Sequence, residues 1–242
     1  FDKWLLESSN HSKSFGKQMD GRPRFSLEAG HSKEKPALRR VASPVELSES
    51  YLEIMRNGKA VDAVCQLIGL NIKFNNSKIN SKQPGTNTKV KFHQDFMFEP
   101  HSNDDLITVL FFLTEVTLEN GPLVVVPGSH LGPLYSHWHN GVFTGAVSED
   151  VALNAQRQAV TCHGPAGSAC LMSTRLLHGS EVNFTRSART LYIVEYCAED
   201  AYPLQDNHIP SIYTGEVVRG ESTNRVRCTN YEMEIPEYPK NA

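Results

Sequence analysis

The chain has 242 residues, a formal net charge of −3 and an apolar fraction of 39%. This length allows one large domain with a buried core, and the apolar content excludes wholesale disorder. The 24 Lys and Arg residues are scattered along the chain, whereas a nucleic-acid groove needs a concentrated basic face. We therefore expect a single domain over residues 1–242 and no nucleic-acid partner.

The five cysteines are spread along the chain and show no CxxC spacing. This pattern predicts free thiols in a reducing compartment and argues against a disulfide framework or a zinc knuckle. No apolar run approaches the ~20 residues of a membrane span, and no signal-peptide pattern is present. We expect a cytoplasmic protein, without a membrane partner, that is a monomer or a weak homo-oligomer.

The N-terminal part of the chain is polar first and helical afterwards. Residues 1–42 predict a loop-rich arm or lid, because they are mostly polar and rich in Lys, Arg, Ser and Gly. Ser43, Pro44 and Glu46 then predict the N-cap, the first helical position and the capping-box acid of a helix. Apolar residues at helical spacing follow, and we expect two helices within residues 43–70.

From residue 71 the period of the apolar residues becomes that of strands. Ile72 and Phe74 alternate with polar residues, and the same parity continues through Asn76, Lys78 and Asn80. Turn residues punctuate the strands that follow, which we expect at roughly 89–98, 105–116, 122–127, 157–163, 168–174 and 190–198.

Helices followed by at least seven closely spaced strands indicate an α+β chain that is mainly β. We predict a double-stranded β-helix, of the jelly-roll or cupin-like type, over residues 71–200. The N-terminal helices are expected to pack on its outside. Residues 201–242 are expected to form a C-terminal extension.

The segment Phe92-His93-Gln94-Asp95 contains a His-x-Asp pair on a predicted strand, where residues two apart project to the same face. A third ligand must come from a distant strand, and His178 follows an apolar stretch 83 positions after Asp95. Two imidazoles and one carboxylate leave three positions of an octahedral ion open, which suits an Fe(II) oxygenase that binds a co-substrate and O₂. We predict that His93, Asp95 and His178 hold the metal and form the catalytic centre.

Arg189 lies eleven residues after His178, at the start of the strand TLYIV. A guanidinium at this position is suited to hold a carboxylate through two parallel hydrogen bonds. The distal carboxylate of 2-oxoglutarate needs such a partner, while its keto-acid end would chelate iron. A salt-bridged strand terminus is the structural alternative for Arg189.

Taken together, these motifs resemble the phytanoyl-CoA dioxygenase family, which includes ectoine hydroxylase. The resemblance covers about residues 43–200 and is carried by KFHQDF, NDDLITVLFFL, ENGPLVVVPGSH, LLHGS and RTLYIVEY. It implies an Fe(II)- and 2-oxoglutarate-dependent oxygenase on a double-stranded β-helix. It also implies that Ser180 supplies a hydroxyl beside Arg189, and that Asn76 and Asn80 lie on a strand whose amides contact the co-substrate. Phe111 stands where some members place a tryptophan beside 2-oxoglutarate.

The resemblance also bears on the outcome of the reaction. Relatives that transfer halide lack the carboxylate at the position of Asp95, which leaves room for chloride at iron. Because Asp95 is present, the expected reaction is hydroxylation of an unactivated C–H bond of a small-molecule substrate, with release of succinate and CO₂.

Several alternatives stay open at the level of sequence. A cupin-type metalloenzyme that ignores 2-oxoglutarate would keep the triad without needing Arg189, and a non-catalytic ligand-binding jelly roll would have lost iron. Ser180 is alternatively a turn residue, and the two asparagines are alternatively strand-end residues. Lys78 is either a solvated side chain or a residue that binds an acidic substrate. The HxH spacing of His137 and His139 lies in a loop without a carboxylate partner, which favours a lid over a metal site.

Overall fold

The computed structural model describes residues 1–237. It contains four α-helices, thirteen strands and three short 3₁₀ helices, at Pro44–Glu46, Asp95–Met97 and Ser129–Leu131. The α-helices are α1 Asp2–Ser8, α2 Glu49–Asn57, α3 Lys59–Ile68 and α4 Glu149–Gln158. The strands are β1 Phe25–Leu27, β2 Leu38–Ala42, β3 Ile72–Lys82, β4 Val90–His93, β5 Leu106–Phe112, β6 Leu123–Val125, β7 Trp138–His139, β8 Val142–Phe143, β9 Val160–Cys162, β10 Ala169–Ser173, β11 His178–Ser180, β12 Arg189–Ala198 and β13 Val217–Arg219.

Two antiparallel sheets dominate the molecule. The larger sheet has seven strands in the order β1-β2-β3-β12-β5-β10, with β13 also paired to β3, and the smaller sheet has the order β4-β11-β6-β9. Apolar residues from both sheets pack together, among them Leu110 and Ile193 from the larger sheet and Leu123 and Val125 from the smaller one. The sheets therefore face each other, and the chain is mainly β, as the sequence predicts.

Helices α2 and α3 cover the face of the larger sheet that points away from the smaller sheet. Met55, Val61 and Val64 from these helices form one buried cluster with Ile79 and Tyr192 of the sheet. The hydroxyls of two sheet tyrosines reinforce this packing by donating hydrogen bonds to backbone carbonyls of α2. One face of the larger sheet is thus covered by helices, so only the face toward the smaller sheet is available for a binding site.

The predicted arm over residues 1–42 requires correction, because part of it is an integral element of the larger sheet. Strands β1 and β2 pair with each other, and β2 pairs with β3. Leu38 and Val41 on β2 are fully buried in the helix-side cluster. These apolar residues are separated by Arg39 and Arg40, so the local composition is basic although the backbone is a strand.

The predicted helix start at Ser43 is also wrong. Ser43 adopts a left-handed conformation with φ 49°, its side chain caps no helical amide, and only a short 3₁₀ turn follows. The first long helix, α2, begins at Glu49. The Ser43 hydroxyl instead donates a hydrogen bond to the carbonyl of Pro210. A distant loop therefore uses the group that the local pattern assigns to the helix cap.

The six further predicted strands are present, although most are shorter than expected. Helix α4 and strands β7, β8, β11 and β13 have no predicted counterpart. Strand β11 has only three residues, too few for alternation to be visible. All five cysteines are free thiols, as predicted. In residues 1–237 no helix has the length and apolarity needed to cross a membrane. The end of the predicted C-terminal extension, from residue 238, lies outside the described residues.

Candidate active site

The first two residues of the predicted triad lie where β4 ends. His93 is the last residue of β4, and Asp95 opens the 3₁₀ helix that follows. Gln94 between them keeps an extended backbone with φ −118° and ψ 127°, so the two side chains project to the same side. The His93 Nε2 atom lies 3.4 Å from Asp95 Oδ1.

The third residue arrives through the pairing of β4 with β11. His178, the first residue of β11, stands directly opposite His93 in the antiparallel register. Its Nε2 atom lies 3.6 Å from Asp95 Oδ1. One ligand atom from each of the three residues lies within 4.8 Å of the others, and no other group of His, Cys, Asp and Glu in residues 1–237 is arranged in this way. The structure thus brings together three side chains that the sequence analysis had assigned to one centre.

Hydrogen bonds fix the orientation of all three side chains. The Nδ1 atoms of His93 and His178 each lie 2.8 Å from a backbone carbonyl, which only accepts, so Nδ1 carries the hydrogen and Nε2 keeps its lone pair. Thr108 Oγ1 donates a 3.0 Å hydrogen bond to Asp95 Oδ2, which leaves Oδ1 directed at the two imidazoles. Two ring nitrogens and one carboxylate oxygen form the donor set that suits Fe(II) with open positions.

The protonation states also suit metal binding. Burial, followed by the neighbouring imidazole of His93, lowers the pKa of His178 to about 4, so the His178 ring is neutral at neutral pH. Burial by itself would raise the pKa of Asp95. The nearby His178, His93 and Lys78 outweigh it and hold the pKa of that carboxyl well below its usual range. The site therefore offers a carboxylate and a neutral imidazole without having to release a proton from either.

A cavity of about 140 Å³ is lined by all three triad residues and by Arg189. Arg189 is 3% exposed, and its Nε donates a 3.1 Å hydrogen bond to the carbonyl of Gly121. Burial lowers the pKa of Arg189 to about 10, which still leaves the guanidinium charged at neutral pH. Ser180 lines the same cavity, and its Oγ accepts a 2.8 Å hydrogen bond from Lys82 Nζ. The walls between are largely apolar and include Leu110 and Leu123.

The two predicted asparagines have different surroundings. Asn80 lines the cavity, and its Oδ1 accepts a 3.1 Å hydrogen bond from Arg40 Nε. Asn76 is buried, does not line the cavity, and donates a 2.7 Å hydrogen bond to Glu99 Oε2. Phe111 stacks on Tyr192 on the helix side of the larger sheet, so it lies on the opposite face from the cavity.

Four residues of this site were not predicted from the sequence. Thr108 holds Asp95, Lys82 holds Ser180, and Arg39 and Arg40 line the cavity beside the triad. Lys82 follows Lys78 and Asn80 at every second position of the same strand, so the strand pattern could have predicted that it faces the site. The two arginines lay within the stretch that was predicted to be loop.

The remaining histidine motif does not form a metal site. His137 is fully buried, and its Nε2 accepts a 3.3 Å hydrogen bond from the backbone N–H of Gln94. The Nε2 atom of His139 lies 2.8 Å from the carbonyl of Ala146. These rings hold the β7–β8 hairpin next to the metal-binding segment, so their role is to support the site.

Comparison with known proteins agrees with this geometry. The family model described as Phytanoyl-CoA dioxygenase (PhyH) matches residues 14–191. This chain belongs to the phytanoyl-CoA dioxygenase family. Among curated relatives, a probable alpha-ketoglutarate-dependent hypophosphite dioxygenase of Stutzerimonas stutzeri is 34% identical over 220 residues, covering 89% of this chain and 76% of that protein. An L-proline trans-4-hydroxylase of Streptomyces griseoviridis is 27% identical over 201 residues, covering 75% and 74%.

The fold is also similar to that of a solved structure. The apo form of EctD from S. alaskensis superposes with a TM-score of 0.67 at 20% identity, covering 91% of this chain and 77% of that one. The family match and the assembled triad confirm the prediction of an Fe(II)- and 2-oxoglutarate-dependent dioxygenase.

Proposed function

We propose that this member of the phytanoyl-CoA dioxygenase family hydroxylates an unactivated C–H bond of a small molecule. The observation that carries the proposal is the convergence of His93, Asp95 and His178 in a cavity that is also lined by a buried arginine. Fe(II) and 2-oxoglutarate, when bound, supply the oxidising chemistry together with O₂. The residues of the chain bind these groups, orient them and exclude water.

Each triad residue has a defined task in this proposal. His93 and His178 present their Nε2 lone pairs, because their Nδ1 hydrogens are held by backbone carbonyls. Asp95 presents Oδ1, because Thr108 occupies Oδ2. Three protein ligands of this kind would leave positions on the ion open for the co-substrate and O₂.

The cavity beside the triad fits a linear dicarboxylate such as 2-oxoglutarate. Arg189, buried in its wall, would hold the distal carboxylate, with the Ser180 hydroxyl and the Lys82 ammonium beside it. Asn80 would present its amide nearer the metal. The same role for Asn76 stays a prediction, and its hydrogen bond to Glu99 supports a contact behind the site instead.

The proposal includes the finer architecture that the sequence predicts. The two facing antiparallel sheets are taken to form a double-stranded β-helix, with α2 and α3 on its outside and one domain throughout. The small-molecule substrate is supported by the names of the two curated relatives, which specify hypophosphite and L-proline. The apolar walls of the cavity favour water exclusion around the reacting groups.

The decisive experiment titrates the purified protein with Fe(II) and 2-oxoglutarate under anaerobic conditions. We expect a weak visible charge-transfer band that requires both additions, and succinate release once O₂ is admitted. Arg189→Gln should weaken 2-oxoglutarate binding by roughly 10- to 100-fold, and His178→Ala should abolish the band. Arg157→Gln, an exposed change on α4, serves as the matched control and should alter neither.

The alternatives give different results in the same titration. A metalloenzyme that ignores 2-oxoglutarate would bind the metal in a His178-dependent manner but would give no band with 2-oxoglutarate and no succinate. A non-catalytic binding module would bind no metal. Either result in a folded protein would refute the proposed function.

A further inference from the structure

A second cavity, of about 350 Å³, shares His93 and Asp95 with the first cavity but is not lined by Arg189. Arg39, Arg40, Lys78, His93 and Asp95 line both cavities, so the second one opens directly onto the metal centre. Since the smaller cavity accommodates the proposed co-substrate, the larger one is the space left for the substrate. Its charge therefore reports on the chemistry of the substrate.

A β-bulge explains how two consecutive arginines reach this space. On a regular strand, neighbouring side chains point to opposite faces. Between β1 and β2, Ser26 pairs with Arg40 and Leu27 pairs with Leu38, which leaves Arg39 as an extra residue without a partner. The extra residue disturbs the alternation, and both Arg39 and Arg40 line the cavity. Bulges that redirect a side chain in this way are common beside active sites.

Apart from Arg22, the Arg and Lys residues that line this cavity form no ion pair with a carboxylate within residues 1–237. The side-chain nitrogens of Arg39, Lys78 and Lys91 make no hydrogen bond or ion pair with residues 1–237. The only hydrogen bond of the Arg40 guanidinium, within the same range, goes to the neutral amide of Asn80. Arg22 also lines the cavity, but Asp20 neutralises it. Four positive charges are thus left uncompensated around one cavity.

The acidic residues of the cavity do not compensate for these charges. Asp95 is committed to the metal, and it offsets only part of the charge of a divalent ion. Glu195 is buried and shares a hydrogen-bonded cluster with Asn75 and Glu99. Burial, followed by the charges of Glu99 and Asp95, raises the pKa of Glu195 well above its ordinary range, which favours its uncharged form. The Glu99 carboxylate itself pairs with His208.

The co-substrate does not account for the positive charge either. In the proposed function, the two carboxylates of 2-oxoglutarate meet the metal at one end and Arg189 with Lys82 at the other. Arg39, Arg40, Lys78 and Lys91 then remain. A cluster of like charges with little compensation costs stability and persists where a ligand supplies the opposite charge. A carboxylate would offset only one of these charges, whereas a phosphorus oxyanion with two negative charges offsets two and offers three oxygens to the guanidinium groups.

Resting on the proposed function, we propose that the substrate is a small molecule with a dianionic phosphonate or phosphate monoester group, which Arg39, Arg40 and Lys78 bind beside the metal. The bulge at Arg39 supplies two adjacent guanidinium groups for this purpose. Lys91, which is exposed, adds positive charge that draws anions toward the cavity.

The test measures anion binding to the protein loaded with Fe(II) and 2-oxoglutarate under argon, by isothermal titration calorimetry. The probes are methylphosphonate, methyl phosphate, hypophosphite and acetate, at about pH 8, where the first two are largely dianions. We expect either or both dianions to bind at least ~10-fold more tightly than the two monoanions, and to perturb the visible band of the metal complex. The ratio between methylphosphonate and methyl phosphate distinguishes the two possible sources of the dianion.

Substitutions of cavity residues test whether the dianions bind in this cavity. Arg39→Gln and Lys78→Gln should each weaken dianion binding by on the order of 10- to 100-fold, measured at saturating 2-oxoglutarate because both residues also line the smaller cavity. Arg157→Gln makes the same change of net charge on an exposed helix and should leave dianion binding unchanged. Two separate cavity variants guard against one of them failing to fold.

Two results would overturn this assignment alone. In the first, the band forms with 2-oxoglutarate but the dianions bind no better than acetate or hypophosphite. In the second, Arg39→Gln and Lys78→Gln abolish the band with 2-oxoglutarate, which would make these cations part of the co-substrate site. Absence of the band in the unmodified protein would instead refute the proposed function and this inference with it.

Discussion

Replacing Lys82 with Met should make the ligand-free protein more stable, although it removes two hydrogen bonds. The Lys82 side chain is buried, and its ammonium donates to the Ser180 hydroxyl and to the carbonyl of Glu181. Burial, followed by the like charge of Arg189, lowers the pKa of Lys82 from 10.5 to about 7. The folded protein therefore holds this proton much more weakly than the unfolded chain does.

The size and sign of the effect follow from this difference in pKa. Below about pH 7 the ammonium is charged in both states and carries its full penalty, at most ~5 kcal/mol at ~1.4 kcal/mol per pH unit. Between about pH 7 and 10.5 the unfolded state retains the proton that the folded state has lost, so the penalty decreases as the pH rises. The two lost hydrogen bonds cost about 1 kcal/mol each. Lys82→Met should thus gain ~2–3 kcal/mol near pH 6 and lose ~1–2 kcal/mol near pH 10.

Urea unfolding of both proteins at a series of pH values checks this expectation, because it gives the free energy of unfolding without ligands present. Lys13→Met, which removes an exposed ammonium, should show no such pH dependence. The variant should also bind 2-oxoglutarate more weakly, since it lacks a cation beside the distal carboxylate. A stability difference that stays flat from about pH 6 to pH 10 would refute the reasoning, because it would mean that Lys82 titrates as an exposed lysine.

Three further substitutions test other parts of the site. Thr108→Val should lower Fe(II) affinity by roughly 10- to 100-fold in an anaerobic metal titration, since Asp95 loses the hydrogen bond that orients it. An unchanged affinity would show that Thr108 does not orient Asp95 for metal binding. Gly121→Ala should lower the free energy of unfolding by ~3 kcal/mol, because Gly121 has φ +82° and the new Cβ would lie 2.7 Å from a backbone carbonyl oxygen. Gly167 has a similar φ of +88° but open space around it, so Gly167→Ala should cost only ~1 kcal/mol in the same urea assay. Glu99→Gln should lower the free energy of unfolding by ~2–3 kcal/mol, because the buried amides of Asn75 and Asn76 and the half-buried His208 ring lose the carboxylate that they contact; a loss below ~1 kcal/mol would contradict this.

The triad was predictable from sequence because each step depended on local geometry or on chemistry. The pair of His93 and Asp95 needs only an extended backbone across three residues, and the structure provides it. His178 was found because a metal with open positions needs a third protein ligand. The strand that carries it was not predicted, since β11 is only three residues long.

The substrate side of the site was not predictable in the same way. Two of its four cations, Arg39 and Arg40, come from β2, which was hidden in a polar, basic stretch. What makes β2 a strand is its pairing with β3 and the burial of Leu38 and Val41 against α2 and α3. Such long-range packing overrides the local composition on which the prediction of an arm depended.

Two bulges show why strand periodicity fails at this site in particular. On β3, Asn76 pairs with Glu195 and Phe74 pairs with Tyr196, so Asn75 is an extra residue and the parity of the strand changes there. Ile72 and Phe74 consequently face the helices, although the predicted alternation had placed them on the same face as Asn76.

The bulge on β3 and the bulge at Arg39 have the same consequence: each directs two consecutive polar side chains to the interior face. Asn75 and Asn76 both donate to Glu99, and Arg39 and Arg40 both line the cavity. A regular strand can offer only every second residue to a site, so a pair of facing sheets that concentrates polar groups around one site gains from breaking the alternation. The positions where the sequence pattern misleads are therefore the positions where the fold is adapted to its ligands.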